Sequence, residues 1–333
     1  MIISHYKRSP IAWAPDILSD CINKYTNHQS YVNQKFDSSD IIHYHNKYIK
    51  FIDLKLLNIN IKDVINKPSF ILYHSFPEIV DNYNKIIALN YPAILAFKLF
   101  RRKSPSIFFD YSKKSIANLI LKKKKIDVYQ MVVGQYQATL DEYKNYKVVR
   151  NIIDFNQSLY NLKPLKSNNI KIGYSPSITI NNKRRSIWED KGYDKTIDIL
   201  KKISQKTGIG YDIITDCSLE ECINRKSKCN IIIDECVTPS FHRSGLEGLA
   251  LGKMTICSLN DNVIDTLKRT SKSNIIPFEN IWIDNLENEL GKIIDLGPDY
   301  INNKGNENRK WMENYWDPID ITKEYIKFYE DKI

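Results

Sequence analysis

The sequence of 333 residues has no stretch near the roughly 20 consecutive apolar residues that a membrane span needs. Its longest candidate, YPAILAFKLF (Tyr91–Phe100), is short and carries Lys98. The first residues, MIISHYKRSP, lack the apolar core of a secretion signal. Both absences predict a cytoplasmic protein. There is no CxxC pair either. Cys21, Cys217, Cys222, Cys229, Cys236 and Cys257 stand alone, and the four between 217 and 236 are too widely spaced for the usual zinc knuckle. Buried free thiols are therefore expected ahead of a metal site or disulfides. No internal repeat and no long low-complexity tract occurs. Lys, Asn and Ile are used heavily throughout, so a single Lys means little by itself.

The basic charge is confined to one half. Residues 1–150 hold 23 Lys and Arg against 12 Asp and Glu, whereas residues 151–333 hold 26 against 27. The excess clusters at Lys98, Arg101, Arg102 and Lys103, at Lys113 and Lys114, and at Lys122 to Lys125. A one-sided basic surface attracts an anionic partner, and a set of solvated helix lysines is the plainer reading.

The second half has a clear rhythm. KIGYSPS (Lys171–Ser177) reads as a buried strand ending in a turn. KTIDILKKISQKTG (Lys195–Gly208) sets Ile197, Leu200 and Ile203 on one face and stops at Gly208. YDIITDC is a strand. SLEECINRKSK opens with Ser218 and Glu221 at capping-box spacing. NIIIDE (Asn230–Glu235) is nearly all apolar, as a strand covered on both faces requires. SGLEGLALG begins a helix, MTIC is a strand and DNVIDTLKRTS a helix. This alternation predicts a parallel sheet with helices on both faces. In the first half, DIIHYHN, SFILYHSFP, KIIALNYP, DVYQMVVG and KVVRNIID each read as a strand running into a loop, with His45 and His74 close to strand ends. The boundary falls near 151–169. At the C-terminus, NNKGNENRK reads as exposed, followed by two aromatic-bearing helices separated by Pro318.

One segment carries chemistry. After the strand come Asp234 and Glu235, the loop CVTPSFHRS, and then Gly245-Leu246-Glu247-Gly248 at a helix start. Small residues there let backbone N–H groups approach a phosphate, which the helix dipole favours. Glu247 is placed to accept from ribose hydroxyls, and His242 and Arg243 to meet a diphosphate or a sugar. The plainer reading is a helix with an acidic first turn. His43 and His45 alternate along one strand and so face opposite sides, which argues against a metal site.

HRSGLEGLALGKMTIC (His242–Cys257) resembles the donor-binding segment of GT-B glycosyltransferases, in particular the retaining family 4 type with its family 1/4-type donor domain. Lys191-Gly192 resembles that family's K-G element, whose lysine contacts the donor diphosphate, and Arg184 or Arg185 stands where a helping arginine is found. VVRNIIDF (Val148–Phe155) resembles the element at the domain junction. DIIHYHN and ILYHSFP resemble the two His-bearing strand ends of the acceptor domain, and WMENYWDP the segment that crosses back. Three features depart from the pattern. Pro239 stands where the first of two glutamates is expected, SHYKRSPIAWAPD has no glycine after the first strand, and Ile152 replaces a glycine after Asn151. Asp234, Glu235 or the loop 238–240 would have to serve in place of that first glutamate.

The resemblance implies two Rossmann-like α/β domains facing across a cleft, at 1–155 and 165–310, with residues 311–333 packing back on the first. It implies transfer of a sugar from a nucleotide diphosphate to an acceptor hydroxyl, with retention and with no bound metal or cofactor. Lys191, Arg185 and His74 would be catalytic. Ser175, Arg184, Arg243, Ser244, Gly245, Leu246 and Glu247 would hold the donor. His45, Asp16 and His242 would lie on the acceptor or sugar side, Asp16 as a base if the enzyme inverted. The basic first half suits an anionic acceptor or surface. A glycan or lipid-linked glycan fits, with KKSIANLILKKKK (Lys113–Lys125) lying on anionic lipid at the inner membrane surface, and so does DNA bearing hydroxymethylated bases. A sugar-nucleotide epimerase or a non-catalytic sugar-nucleotide binder would share this architecture. A pure nucleic-acid-binding protein fits less well, because no DNA-binding motif is visible.

Overall fold

The protein is described from a computed structural model, which places residues 2–7, 14–36, 39–44, 47–50, 70–74, 85–89, 127–161, 169–176 and 191–331. Arg184, Arg185, His45 and the basic segment 91–126 lie outside the described residues. The chain divides into two compact units. Unit 1 comprises Met1–Val133, Glu142–Ile152 and Ile319–Ile333, and unit 2 comprises Gly134–Asp141 and Ile153–Pro318.

In unit 1, β1 (Ile2–Lys7), α1 (Ala14–Tyr25) and β2 (Gln29–Phe36) form a parallel crossover. Helix α1 buries Ile17, Leu18, Cys21 and Ile22, a one-sided stripe beside Ile3 of β1 and Val32 of β2. β3 (Ser39–Tyr44) and β4 (Lys47–Lys50) add an antiparallel edge. β5 (Phe70–His74), β6 (Lys85–Leu89), β7 (Asp127–Val133) and β8 (Lys147–Val149) continue in parallel on the other side of β1, giving the order β4-β3-β2-β1-β5-β6-β7-β8. The hairpin follows from chain length. Phe36 and Ser39 are separated by only Asp37 and Ser38, whereas a parallel return needs a crossover of about a dozen residues or more.

That hairpin corrects the expectation that DIIHYHN and ILYHSFP present their histidines at one edge. His43 pairs with Val32, which pairs with His5, which pairs with Leu72. From that common level β5 runs on to end at His74, while β3 runs the opposite way to end at Tyr44. The two strand ends therefore lie at opposite edges of the sheet.

Unit 2 holds a five-stranded parallel sheet of β9 (Lys171–Tyr174), β10 (Gly210–Ile213), β11 (Ile231–Glu235), β12 (Met254–Cys257) and β13 (Glu279–Asn280), in the order β10-β9-β11-β12-β13. Its helices are α2 (Tyr193–Thr207), α3 (Leu219–Ser227), α4 (Arg243–Ala250), α5 (Asp261–Ser271), α6 (Leu286–Asp295) and α7 (Gly297–Tyr315). Helix α2 buries Thr196, Ile199, Leu200 and Ile203, the i, i+3, i+4, i+7 set, leaving Ile197 half-buried beside the stripe, and it ends at Gly208 in a left-handed cap. Helix α3 starts where the capping spacing puts it, the Ser218 side chain accepting from the Glu221 amide at 3.1 Å. Asn260 caps α5 in the same way through Val263 N. The order makes β9 the switch point, with one successor strand on each side, and ligand crevices open outside the carboxyl ends of such strands.

The C-terminal stretch differs from its reading. NNKGNENRK lies inside α7, and its Gly305 and Asn308 are buried. A Cβ on Gly305 would fall 2.1 Å from the Gly252 carbonyl oxygen, and Asn308 Nδ2 donates to the Lys253 carbonyl at 2.9 Å. Trp311 and Trp316 stack at 5.6 Å within unit 2. Of the segment 311–333, residues up to Pro318 group with unit 2 and those from Ile319 with unit 1. There α8 (Pro318–Glu330) docks through Tyr325, whose hydroxyl donates to the Arg150 carbonyl at 3.1 Å, and through Glu324, which pairs with Arg150 at 2.8 Å. Among the described residues no helix is long and apolar enough to cross a membrane. All six cysteines are free, but Cys217 and Cys222 are half-exposed, against the expectation that the thiols are buried.

Candidate functional site

The carboxyl ends of β9 and β11 converge on Asp234. The ladder between β11 and β12 slips between Ile233 and Glu235, and such irregularities re-aim side chains. Asp234 is fully buried, and its two oxygens serve different elements. Oδ1 faces Lys191 Nζ at 3.4 Å, and Oδ2 accepts from the His242 amide. One carboxylate thus ties the lysine that follows β9 to the start of α4. Burial pushes the Asp234 carboxyl up, but Lys191 and then His242 outweigh it and hold the group well below its ordinary range. Lys191 is itself buried and has a left-handed backbone, φ +51°. Gly192 follows at φ +68°, and a Cβ there would come within 2.7 Å of Val237. The Tyr174 hydroxyl donates to the Lys191 carbonyl at 3.0 Å and fixes the turn.

Helix α4 begins at Arg243 after His242, which makes no side-chain cap. Among the described residues nothing accepts from the amides of Ser244 and Gly245. The glycines of SGLEG face the sheet. A Cβ on Gly245 would lie 2.9 Å from Asp234 Oδ2, and one on Gly248 would lie 2.7 Å from Thr255 Oγ1 and 3.1 Å from Ile232. Both are needed first for close helix-on-strand packing, a role distinct from the phosphate approach read from the sequence.

Glu247 sits one turn in and is buried. Its Oε2 accepts from Lys226 Nζ at 2.6 Å and its Oε1 from Arg243 Nε at 2.7 Å. Lys226 Nζ also donates to Ser244 Oγ at 2.9 Å. Burial would raise the Glu247 carboxyl, and the two cations overcome this and hold it below its usual range. The same pairing keeps Lys226 and Arg243 charged against their burial. Burial, and then the charge of Glu247, push the nearby Tyr160 hydroxyl above its ordinary range. Arg243, read as a diphosphate ligand, turns its guanidinium onto Glu247. Lys226 was missed in the sequence, although helical spacing marks it, since it follows Leu219 by seven residues and Ile223 by three.

The loop between β11 and α4 holds itself together. The Glu235 carboxylate accepts from the amides of Val237 and Thr238 at 3.1 and 2.9 Å and from the Thr238 hydroxyl. Ser258 Oγ donates to the Thr238 carbonyl at 2.6 Å. Phe241 anchors the far end between Phe278 and Trp316, with ring centroids at 5.4 and 6.4 Å. Asp234, Glu235 and the loop 238–240, the residues considered as substitutes for the glutamate that Pro239 replaces, are thus buried or engaged by the loop itself. His242 is the polar side chain this loop leaves partly open, 25% exposed, with Nδ1 3.6 Å from Asp234 and 3.9 Å from Glu235.

Of the remaining residues, Ser175 lies at the mouth of β9, its Oγ 3.7 Å from Cys222 Sγ. Leu246 is buried under α4. Asp16, read as a loop carboxylate, is buried in the first turn of α1, where its charge acts on the buried His5. His74 ends β5 in unit 1. Among the described residues no group of three or more His, Cys, Asp or Glu is arranged to hold a metal.

No protein-family model matches the chain, and no curated protein matches it by sequence. Solved structures do match its fold. Sucrose-phosphate synthase from Thermosynechococcus elongatus is 12% identical, with 99% of this chain and 98% of that chain covered at a TM-score of 0.55. A glycosyltransferase from Rickettsia africae is 14% identical over 99% and 98%, also at 0.55. HepE from Anabaena, in complex with UDP-glucose, is 11% identical over 99% and 100%, at 0.54. At these identities the likeness establishes a shared mixed α/β fold with parallel sheets.

Proposed function

We propose that the chain is a nucleotide-sugar-dependent glycosyltransferase that holds the donor diphosphate at the switch point of unit 2. The observation that carries this reading is the pair of amides at Ser244 and Gly245 that no described acceptor claims, next to the His242 amide that Asp234 ties to Lys191. Amides at a helix start and a nearby lysine are the groups that stabilise charge growing on a leaving phosphate. At 3.4 Å the Lys191–Asp234 contact is loose, so Lys191 can swing to the diphosphate while Asp234 keeps its bond to the His242 amide. Glu247 is fixed as a carboxylate and retains lone pairs for ribose hydroxyls. His242, partly open, faces the sugar. Arg184 or Arg185 adds positive charge at the diphosphate. The shared fold with HepE, solved in complex with UDP-glucose, supports a UDP-sugar donor. Transfer proceeds with retention and without a bound metal, to a glycan or lipid-linked glycan.

Incubation with a panel of nucleotide sugars tests this by release of free nucleoside diphosphate. Release from one donor class, unchanged by a chelator, is expected. No release from any donor, together with no thermal shift with any nucleoside diphosphate, would contradict the proposal.

A further inference from the structure

The same rim of unit 2 carries a feature that glycosyl transfer does not use. Ser218 is the N-cap of α3, so Cys217 precedes the cap and Cys222 lies at the fourth helical position. These are the two staple positions, whose side chains meet across a helix start. Here both staple positions are thiols, on a helix start fixed by the Ser218 cap and by the Cys222 amide donating to the Ser218 carbonyl at 2.9 Å. Both are half-exposed, whereas Cys21, Cys229, Cys236 and Cys257 are buried. Cys222 touches Ser175 at the mouth of β9 and lies one turn before Lys226.

We propose that Cys217 and Cys222 form a reversible intrachain disulfide, a redox modification site on the rim of the nucleotide crevice, whose closure weakens nucleotide binding. The second clause rests on the function proposed above. The oxidant is a low-molecular-weight disulfide such as oxidised glutathione. One thiolate attacks a glutathione sulfur and expels glutathione thiolate, and the second cysteine then displaces the other glutathione. The pair loses two electrons and two protons, and the oxidant becomes two thiols. Burial, then Cys222 and Glu221, hold the Cys217 thiol above its ordinary range, which lowers its thiolate fraction and slows attack from that side. Closure draws Cys222 toward Cys217 and away from Ser175, and shifts the turn of α3 that carries Lys226.

The test treats the full-length protein with oxidised glutathione and maps its cysteines by peptide mass. No Lys or Arg lies between the two, so one tryptic peptide contains both, and cleavage after Glu220 or Glu221 opens the ring. The expected result is loss of two hydrogens from that peptide, halves that stay joined after the second cleavage, reversal by dithiothreitol, and unmodified buried cysteines. Separate glutathione adducts on Cys217 and Cys222, or reaction at the buried cysteines instead, overturn the site. UDP binding is then compared between oxidised and reduced protein, with C217S and C222S treated in parallel. A severalfold weaker affinity only in oxidised wild type is expected. Equal affinity in both states overturns the coupling. UDP binding in neither state counts against the proposed function and leaves the disulfide standing on its mass evidence.

Discussion

In both units a central parallel strand is followed by a helix, β1 by α1 and β11 by α4, yet the buried polar groups described on these elements differ. In unit 1, among the described residues, the buried polar groups of β1, α1 and β2 include His5, bonded to Ser30 Oγ at 2.7 Å, Asp16, Ser19 and Ser30. Burial drives the His5 pKa down to about 3, so its imidazole is neutral. In unit 2, β11 leads to α4, and the junction holds Lys191 against Asp234 and Lys226 and Arg243 against Glu247, all buried. Buried ion pairs often contribute less to stability than apolar residues of the same volume, and they tolerate the loss of one partner poorly. A cluster of buried charges at the end of a strand marks a candidate site for an ionic ligand. The proposed function places the donor diphosphate beside these buried charges of unit 2.

The largest effect should come from E247Q. It leaves Lys226 and Arg243 buried without a counter-charge and should cost about 3–5 kcal/mol in urea unfolding of unit 2. Replacing His5 by Leu, which forfeits the neutral bond to Ser30 Oγ among its contacts, should cost less, about 1–2 kcal/mol. Equal costs would erase the contrast.

Acid should separate the units next. The unfolded chain takes a proton on His5 below its ordinary 6.5, whereas the folded chain does not until about 3, so unit 1 is fully stabilised above 6.5 and loses stability as pH falls. Between pH 6.5 and 4.5 that loss is about 2–3 kcal/mol. Asp234 and Glu247 have the opposite sign. Their contribution is present above the ordinary values of 3.8 and 4.5 and disappears only as pH drops below them. Limited proteolysis between pH 6.5 and 4.5 should release unit 1 peptides first. Simultaneous release would contradict the assignment.

Smaller effects probe the fit around α4. G248A pushes a methyl into Thr255 and Ile232 and should destabilise by about 1–3 kcal/mol. G291A, in α6 with open space around it, should stabilise by about 0.4–1 kcal/mol. Thermal melts of the two variants should shift in opposite directions.

Much of unit 2 was legible because its strands are fully buried and its helices carry clear caps. Asn230–Glu235, Ser218 with Glu221, and Gly208 each say locally what they do. Unit 1 was less legible because strand direction is a property of connections, and the two residues between Phe36 and Ser39 carried that information, not the histidines in the strand. At the site, Lys191 and Ser244 came from the family resemblance, whereas Gly245 and Glu247 could be picked out at a helix start. The partners that hold them could not. Asp234 joins two loops far apart in sequence, and Lys226 reaches Glu247 across 21 residues from another helix. Gly305 and Asn308 looked solvent-exposed because a polar run says nothing about a backbone of Gly252 and Lys253 waiting against it.

Amide hydrogen exchange with and without UDP tests the central claim most directly. The account predicts slowed exchange at Lys191–Gly192 and at Ser244–Leu246, with α1 of unit 1 unchanged. Bound UDP that leaves Ser244 and Gly245 exchanging as before, or that protects the β1–α1 junction instead, would contradict it.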